Sequence, residues 1–408
     1  MGESHRRRPH HRRVALAIER AALALLLAAA TLVATAQETS LDELIARARK
    51  RDAEAEYMLG MRTYAGYGVP RSPSQALRLV QRAAQHGYVE AQNTYGFFLQ
   101  HGVGTEPDPA RALPWYEAAA NRGHALAQVN LGWLYEHGLG VERSSTAALE
   151  WYRKAAAQGV PEAELNAGHL LESASPPDDA GAAASYARAT RQGLPLAYER
   201  LGRLVEANRA SQGEYGSALG NYLSAAQAGI ADAQFAVARL ELAAGGPDNA
   251  RDAVQWLERA DKQGHAGARA MLADAPSQYR IAAQLTSKPP AGETEALPWL
   301  RSAANQGMRD AQLRLGIALE EGRGTARDAP AAATWYAKAG DAGDAEALYR
   351  LALLYDQGTG VARDTVRARD LLGQAASLGH PKAKEHMNAL LGSKLPPPPA
   401  GDPFKSLR

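Results

Sequence analysis

Glycine closes this chain at a fixed interval. Gly87, Gly123 and Gly159 stand 36 residues apart, and the same ordered pattern precedes each of them. Ala127, Leu131, Gly132 and Tyr135 lie at helical spacing, Gly138 and Gly140 interrupt, and Ala148, Trp151, Tyr152, Ala155 and Ala156 mark a second helix that Gly159 ends. One period earlier the same roles fall to Ala91, Gly96, Gly102, Gly104, Ala112, Trp115, Tyr116, Ala119, Ala120 and Gly123. Self-similarity at a period of about 20–50 residues is the signature of a repeat architecture. The pattern predicts an all-α solenoid of stacked antiparallel helix pairs, which grows by stacking rather than by enlarging one core. Ala, Leu, Arg, Gln and Glu dominate and favour helix, while Phe occurs four times and β-branched runs are absent.

The repeat resembles a known family. The order Ala-x-x-x-Leu-Gly-x-x-Tyr, then Gly-x-Gly-Val, then Ala-x-x-Trp-Tyr-x-x-Ala-Ala-x-x-Gly is similar to the Sel-1-like repeat, a longer relative of the tetratricopeptide repeat. The resemblance runs from about Ala53 to Leu391. It implies a right-handed superhelix, an adaptor role toward other proteins, and export from a bacterial cell. It also leaves open an association with exopolysaccharide, and activity on cell-wall or lactam substrates as a more distant reading.

Taken in order, residues 1–36 read as a signal segment, 37–52 as an N-terminal capping helix and 53–264 as six repeats. Residues 265–307 read as a divergent seventh repeat with a Pro-containing insertion. Residues 308–391 hold repeats eight and nine with a terminal cap helix, and 392–408 form a disordered Pro-rich tail. Repeats one to three are regular, with turns at Gly66/Gly68, Gly102/Gly104 and Gly138/Gly140. Repeats four to seven drift. The seventh, Ala268 to Gly307, contains Pro276, Lys288, Pro289, Pro290 and Gly292 and is expected to be a loop or broken helix and the weakest point of the array. Helix-interior Gly60, Gly96 and Gly132 each cost about 1 kcal/mol relative to Ala, so their recurrence points to close helix contact.

Met1 to Arg13 carries Arg6, Arg7, Arg8, Arg12 and Arg13; Ala21 to Val33 is uncharged; Ala34-Thr35-Ala36 follows. A basic start, an apolar run and a small-x-small end read as a secretory signal peptide. The alternative is an uncleaved anchor in the inner membrane over residues 14–36, the one expected membrane contact. Either reading exports the body to the periplasm or beyond. Six of the 46 basic and two of the 44 acidic residues lie in that segment, so the body is close to neutral. A nucleic-acid binder shows a basic face, and none is expected here. The chain has no cysteine, which excludes disulfides, thiolate metal sites and a cysteine nucleophile.

No catalytic motif stands out. Gly358-Thr359-Gly360-Val361 occupies the repeat turn, and Asp178-Asp179 follows two prolines in a variable turn. Trp115/Tyr116, Trp151/Tyr152 and Trp335/Tyr336 suit core packing better than a sugar platform. His101 and His137 are equivalent and about one helix-pair spacing apart, too far to share a metal ion. No cofactor and no metal site is expected.

The favoured function is a non-enzymatic envelope adaptor binding a protein or peptide; the alternative is a factor that binds or organises envelope polysaccharide. In helix-pair solenoids of this kind the first helices line the concave face. First-helix positions expected to be free of packing are Asn93, Phe97, Gln100 and His101, then Trp133, Glu136 and His137, then Glu320, Glu321, Asp356 and Gln357. Phe97 and Trp133 are the aromatic anchors of this strip, to be weighed against packing between neighbouring helices.

Overall fold

The computed structural model describes residues 40–288, 290 and 292–392. The expected signal segment and the tail beyond Gly392 lie outside them. Every regular element among the described residues is a helix. The chain forms two compact units, divided at Gly216/Ser217.

The first unit opens with the helix Leu41–Arg49. Ser40 caps it by accepting the Glu43 amide hydrogen at 3.1 Å, and Leu44 and Ala48 pack on Ala55 of the first repeat. Helix pairs follow: Ala53–Ala65 with Pro73–Gln85, Val89–His101 with Pro109–Asn121, Ala125–His137 with Ser145–Ala156, and Pro161–Glu172 with Asp179–Arg191. Pro195–Glu206 and the single turn Gln212–Tyr215 complete the unit.

The local chemistry repeats with the sequence. First helices end on a left-handed glycine (Gly66, Gly102, Gly138), a conformation that costs least without a Cβ. Second helices begin on a side-chain cap. Ser72, Asp108, Ser144 and Asp178 each accept the amide hydrogen three residues on, and Pro73 and Pro109 stand in the first turn, where no amide donor is missed. The core is narrow and alanine-rich: Ala91, Ala112, Ala119, Ala127, Ala148 and Ala155 are fully buried and let neighbouring backbones approach.

The second unit starts with Ala218–Gln227 and continues through Ala231–Ala244 with Pro247–Lys262. After the extra helix Ala266–Ala273 come Ala275–Leu285 with Glu293–Asn305, Arg309–Glu321 with Ala329–Asp341, and Ala345–Gln357 with Thr365–Ser377. Pro381–Gly392 is the final helix. One hydrophobic core extends from Ala238 to Leu354 through the whole divergent stretch.

The division between compact units lies inside the fifth repeat, at Gly216. The seventh repeat opens on a broken helix, as expected, and the break falls at Asp274. Its extra length is the helix Ala266–Ala273, which stops at Asp274; Asp274 then accepts the Ser277 amide hydrogen and caps a new first helix with Pro276 in its first turn. Pro276 starts a helix there instead of breaking one.

Candidate interaction surface

The expected first-helix strip is largely committed to packing. Phe97 is 5% exposed and belongs to the core of the first unit, with the His101 ring 4.3 Å from its own. Burial holds His101 below the ordinary histidine range. Asn93 is buried and its side-chain oxygen accepts from Asn130 at 2.9 Å. Trp133 is half-buried against the same core and stacks on His137, whose Nδ1 lies 3.0 Å from the Trp133 carbonyl oxygen. The expectation of two exposed aromatic anchors therefore fails for Phe97, because its ring is buried in the core of the first unit. His137, Asp356 and Gln357 are exposed. Glu321 pairs with Arg323 and Arg350, and the Asp356 carbonyl accepts from Arg363.

Gln100, Glu136 and Glu320 have a different role. Each accepts a hydrogen bond from the hydroxyl of a buried second-helix tyrosine sixteen residues on. Tyr116 donates to Gln100 at 2.7 Å, Tyr152 to Glu136 at 2.6 Å, and Tyr336 to Glu320. Tyr186 donates to Glu172 in the same way at 2.8 Å, across fourteen residues. The motif glycine makes room for the ring: a methyl group on Gly132 would lie 2.8 Å from the Tyr152 ring, and Gly96, Gly168 and Gly316 face Tyr116, Tyr186 and Tyr336 in the same way. A buried phenol needs a partner for its hydroxyl, and the repeat supplies one.

These tyrosine ties are extended by a basic residue of the following repeat. His169 stands 3.7 Å from Glu136, Arg203 is 3.1 Å from Glu172, and Arg350 is 3.0 Å from Glu320. Burial works to raise the Glu136 carboxyl, but hydrogen bonds from His169 and Tyr152 outweigh it and hold the group below its ordinary range. Glu172 is lowered against its burial by Tyr186 and Arg203. Burial pushes the Tyr152 phenol well up, and Glu136 adds to that. A carboxylate kept ionised beside a phenol kept protonated is a structural tie, because neither group is poised to exchange a proton near neutral pH.

A second device joins repeats through the turns. The second glycine of each Gly-x-Gly faces the start of the preceding repeat's second helix. A methyl on Gly140 would lie 2.5 Å from the Ala110 Cα, and one on Gly324 or Gly360 would meet the backbone of Glu293 or Ala329. Gly68 belongs to the first repeat and faces open space. Arginines after the turns donate to the last carbonyls of the first helices: Arg143 to Glu136 at 2.9 Å and Arg363 to Asp356 at 2.8 Å. A third device is a glutamine ladder. Gln128 and Gln234 donate to the Ala120 and Ala226 carbonyls and accept from Gln158 and Gln263.

The sequence reading missed His169, Arg203 and Arg350. Their signal was present as a basic residue 30–33 positions after each tie acid, which becomes visible once the period is used to compare charges across repeats.

Comparison with known proteins agrees with this architecture. The Sel1 repeat model matches residues 53–88, 89–124, 125–160, 231–265, 275–308, 309–344 and 345–380. No curated protein matches the chain. Among solved structures, a protective antigen from uropathogenic Escherichia coli strains, described as displaying an SLR fold, is 28% identical. It covers 87% of this chain and 83% of its own, with a TM-score of 0.39. A Sel1 repeat protein from Oxalobacter formigenes is 29% identical over 88% of this chain and 93% of its own, also at 0.39. At these scores neither structure adds to the case for the family, which rests on seven matched repeats spanning more than half of the residues. The chain belongs to the Sel1 repeat family.

Proposed function

We propose that this chain is a non-enzymatic scaffold of the bacterial envelope that holds a protein partner on its helical repeats. Sel1 repeats are generally protein-interaction modules. The observation that supports the non-enzymatic part is the tyrosine tie: three polar first-helix residues, Gln100, Glu136 and Glu320, are each occupied by a buried hydroxyl. Export is supported by the basic, apolar and Ala-Thr-Ala segments at the start of the chain. The polysaccharide reading has less support. A sugar platform needs open indole faces, and Lys154, Arg259 and Lys338 lie over the rings of Trp151, Trp256 and Trp335.

Crosslinking and affinity capture from intact envelopes, with the chain lacking residues 1–36 as bait, tests the scaffold. A protein recovered in stoichiometric amount is the expected result. Recovery of glycan alone, or turnover of a cell-wall substrate by highly purified protein, overturns it. Intact-mass measurement of the envelope protein tests cleavage after Ala36.

A further inference from the structure

The seventh repeat lacks a tie, and a cavity of about 360 Å³ stands in its place, against the eighth. Thr286, Glu293, Leu297 and Leu300 line it from the seventh repeat, with Leu313, Arg314, Ile317, Ala318 and Arg323 from the eighth. The family match sets the equivalences, since residues 275 and 309 begin repeats as 125 does. Leu300 stands where Tyr152 and Tyr336 stand, and Thr286 where Glu136 and Glu320 stand. Ile317 replaces Trp133, and Ala318 replaces Leu134 and Leu354. All four exchanges remove volume, so the space that side chains fill elsewhere is open here. Its volume lies in the range of sites that enclose a ligand group.

The exchange also changes the charge. Arg314 is equivalent to Arg350, which binds Glu320 of the preceding repeat at 3.0 Å. Thr286 offers Arg314 no carboxylate. Its guanidinium instead lies 5.5 Å from the Tyr279 ring centre, exposed to solvent. Arg323 adds a second cation at the mouth beside Glu321, and Glu293 a single opposing acid. The floor is aliphatic, the rim carries an arginine without its usual acid, and a neighbouring repeat shows what both features bind when the tie is complete.

We propose that this cavity receives one large apolar or aromatic side chain from an acidic segment of a protein partner, with a partner carboxylate meeting Arg314 as Glu320 meets Arg350. The partner thus supplies in trans the ring and the acid that the seventh repeat lacks. This site rests on the scaffold reading and gives it a location and a chemistry.

The test uses the chain lacking residues 1–36 and fluorescein-labelled peptides in which a single Tyr, Phe or Leu is flanked by two Glu on each side. Control peptides carry Ala at the centre or Lys at the flanks. Fluorescence anisotropy at low salt is expected to show binding of the acidic apolar peptides, at least tenfold weaker for either control. Three variants follow. Arg314→Glu removes the cation from an exposed position, Ala318→Leu fills the floor with the residue found at 134 and 354, and Ala282→Gly/Thr286→Glu/Leu300→Tyr rebuilds the tie. Each is expected to lower affinity at least tenfold while the helical circular dichroism is kept. Failure of every acidic peptide to bind, or unchanged binding in folded Arg314→Glu, overturns the proposal. Envelope capture with Arg314→Glu separates the two readings: a partner still captured at full yield leaves the scaffold standing and removes this site.

Discussion

The third repeat, residues 125–160, and the seventh, residues 275–308, carry out the same packing task with different side chains. In the third, the Tyr152 ring lies over Gly132 and its hydroxyl ends on Glu136. In the seventh, Leu300 faces a first helix two residues shorter, 11 against 13, and the position of Glu136 falls to Thr286 in the turn. The difference teaches that ring, glycine and acid form one unit. Without the ring, the glycine is no longer needed, and Ala282 stands where Gly132 does. Without the acid, the following repeat's arginine has no carboxylate partner and lies over Tyr279 instead. The third repeat is closed to a partner at this junction, and the seventh is open.

The largest effect that would break this comparison lies in the turns. Gly140→Ala places a methyl against the Ala110 backbone and forces a left-handed alanine, for a loss of about 3 kcal/mol. Gly68→Ala has the same backbone strain without the contact, for a loss of about 1 kcal/mol. Thermal unfolding of the two variants checks this, and equal losses would show that the contact between repeats contributes nothing.

Next in size is Tyr152→Phe, which removes the phenol donor from the half-buried Glu136 carboxylate, leaves it His169 alone, and costs about 2 kcal/mol. The counterpart at the seventh repeat, Ala282→Gly/Leu300→Phe, gives the ring its glycine and removes no hydrogen bond, and is expected to cost no more than a helix-interior glycine does, about 1 kcal/mol. A comparable loss at both sites would mean that ring volume and not the tie decides.

The Glu136 carboxyl is held low in the folded chain, so its contribution is present above the ordinary carboxylate pKa of about 4.3 and is lost as pH falls through the lower folded value. Glu136→Gln copies the second repeat, where Gln100 accepts from Tyr116. It is expected to change melting little at neutral pH and to flatten the acid limb of the melting profile. An acid limb as steep as wild type counts against the tie as the source.

The smallest effect concerns the glutamine ladder. Gln312 Oε1 is buried without a partner, and position 342, equivalent to Gln158 and Gln263, is alanine. Ala342→Gln should add about 0.5–1 kcal/mol. A melting temperature unmoved by this change would show that the ladder does not act across that junction.

Much of the fold was legible because a solenoid writes its period into sequence. The closing glycines, the first-helix alanines and the leading helix Leu41–Arg49 all stand where the sequence places them. The strip of site residues was less legible, for a physical reason. Helical spacing tells which side a residue occupies but not how far the next repeat leans over it. Phe97 and Trp133 are equivalent by number, yet Phe97 is covered and Trp133 only partly so. The division at Gly216 was hidden as well. Prolines at 276, 289 and 290 drew attention to the seventh repeat, whereas the fifth repeat holds Gly216 between the turn Gln212–Tyr215 and the helix Ala218–Gln227.

The turn glycines give the array a direction of growth. The second turn glycines Gly104, Gly140, Gly324 and Gly360 rest on the second helix of the repeat before them, and Gly68, in the first repeat, faces open space. A chain appearing from its N-terminus, on the ribosome or at the far side of a translocation pore, presents each new repeat to a surface already formed. Assembly can therefore keep pace with emergence, whereas a chain fed from the opposite end would bring out each turn before its seat existed.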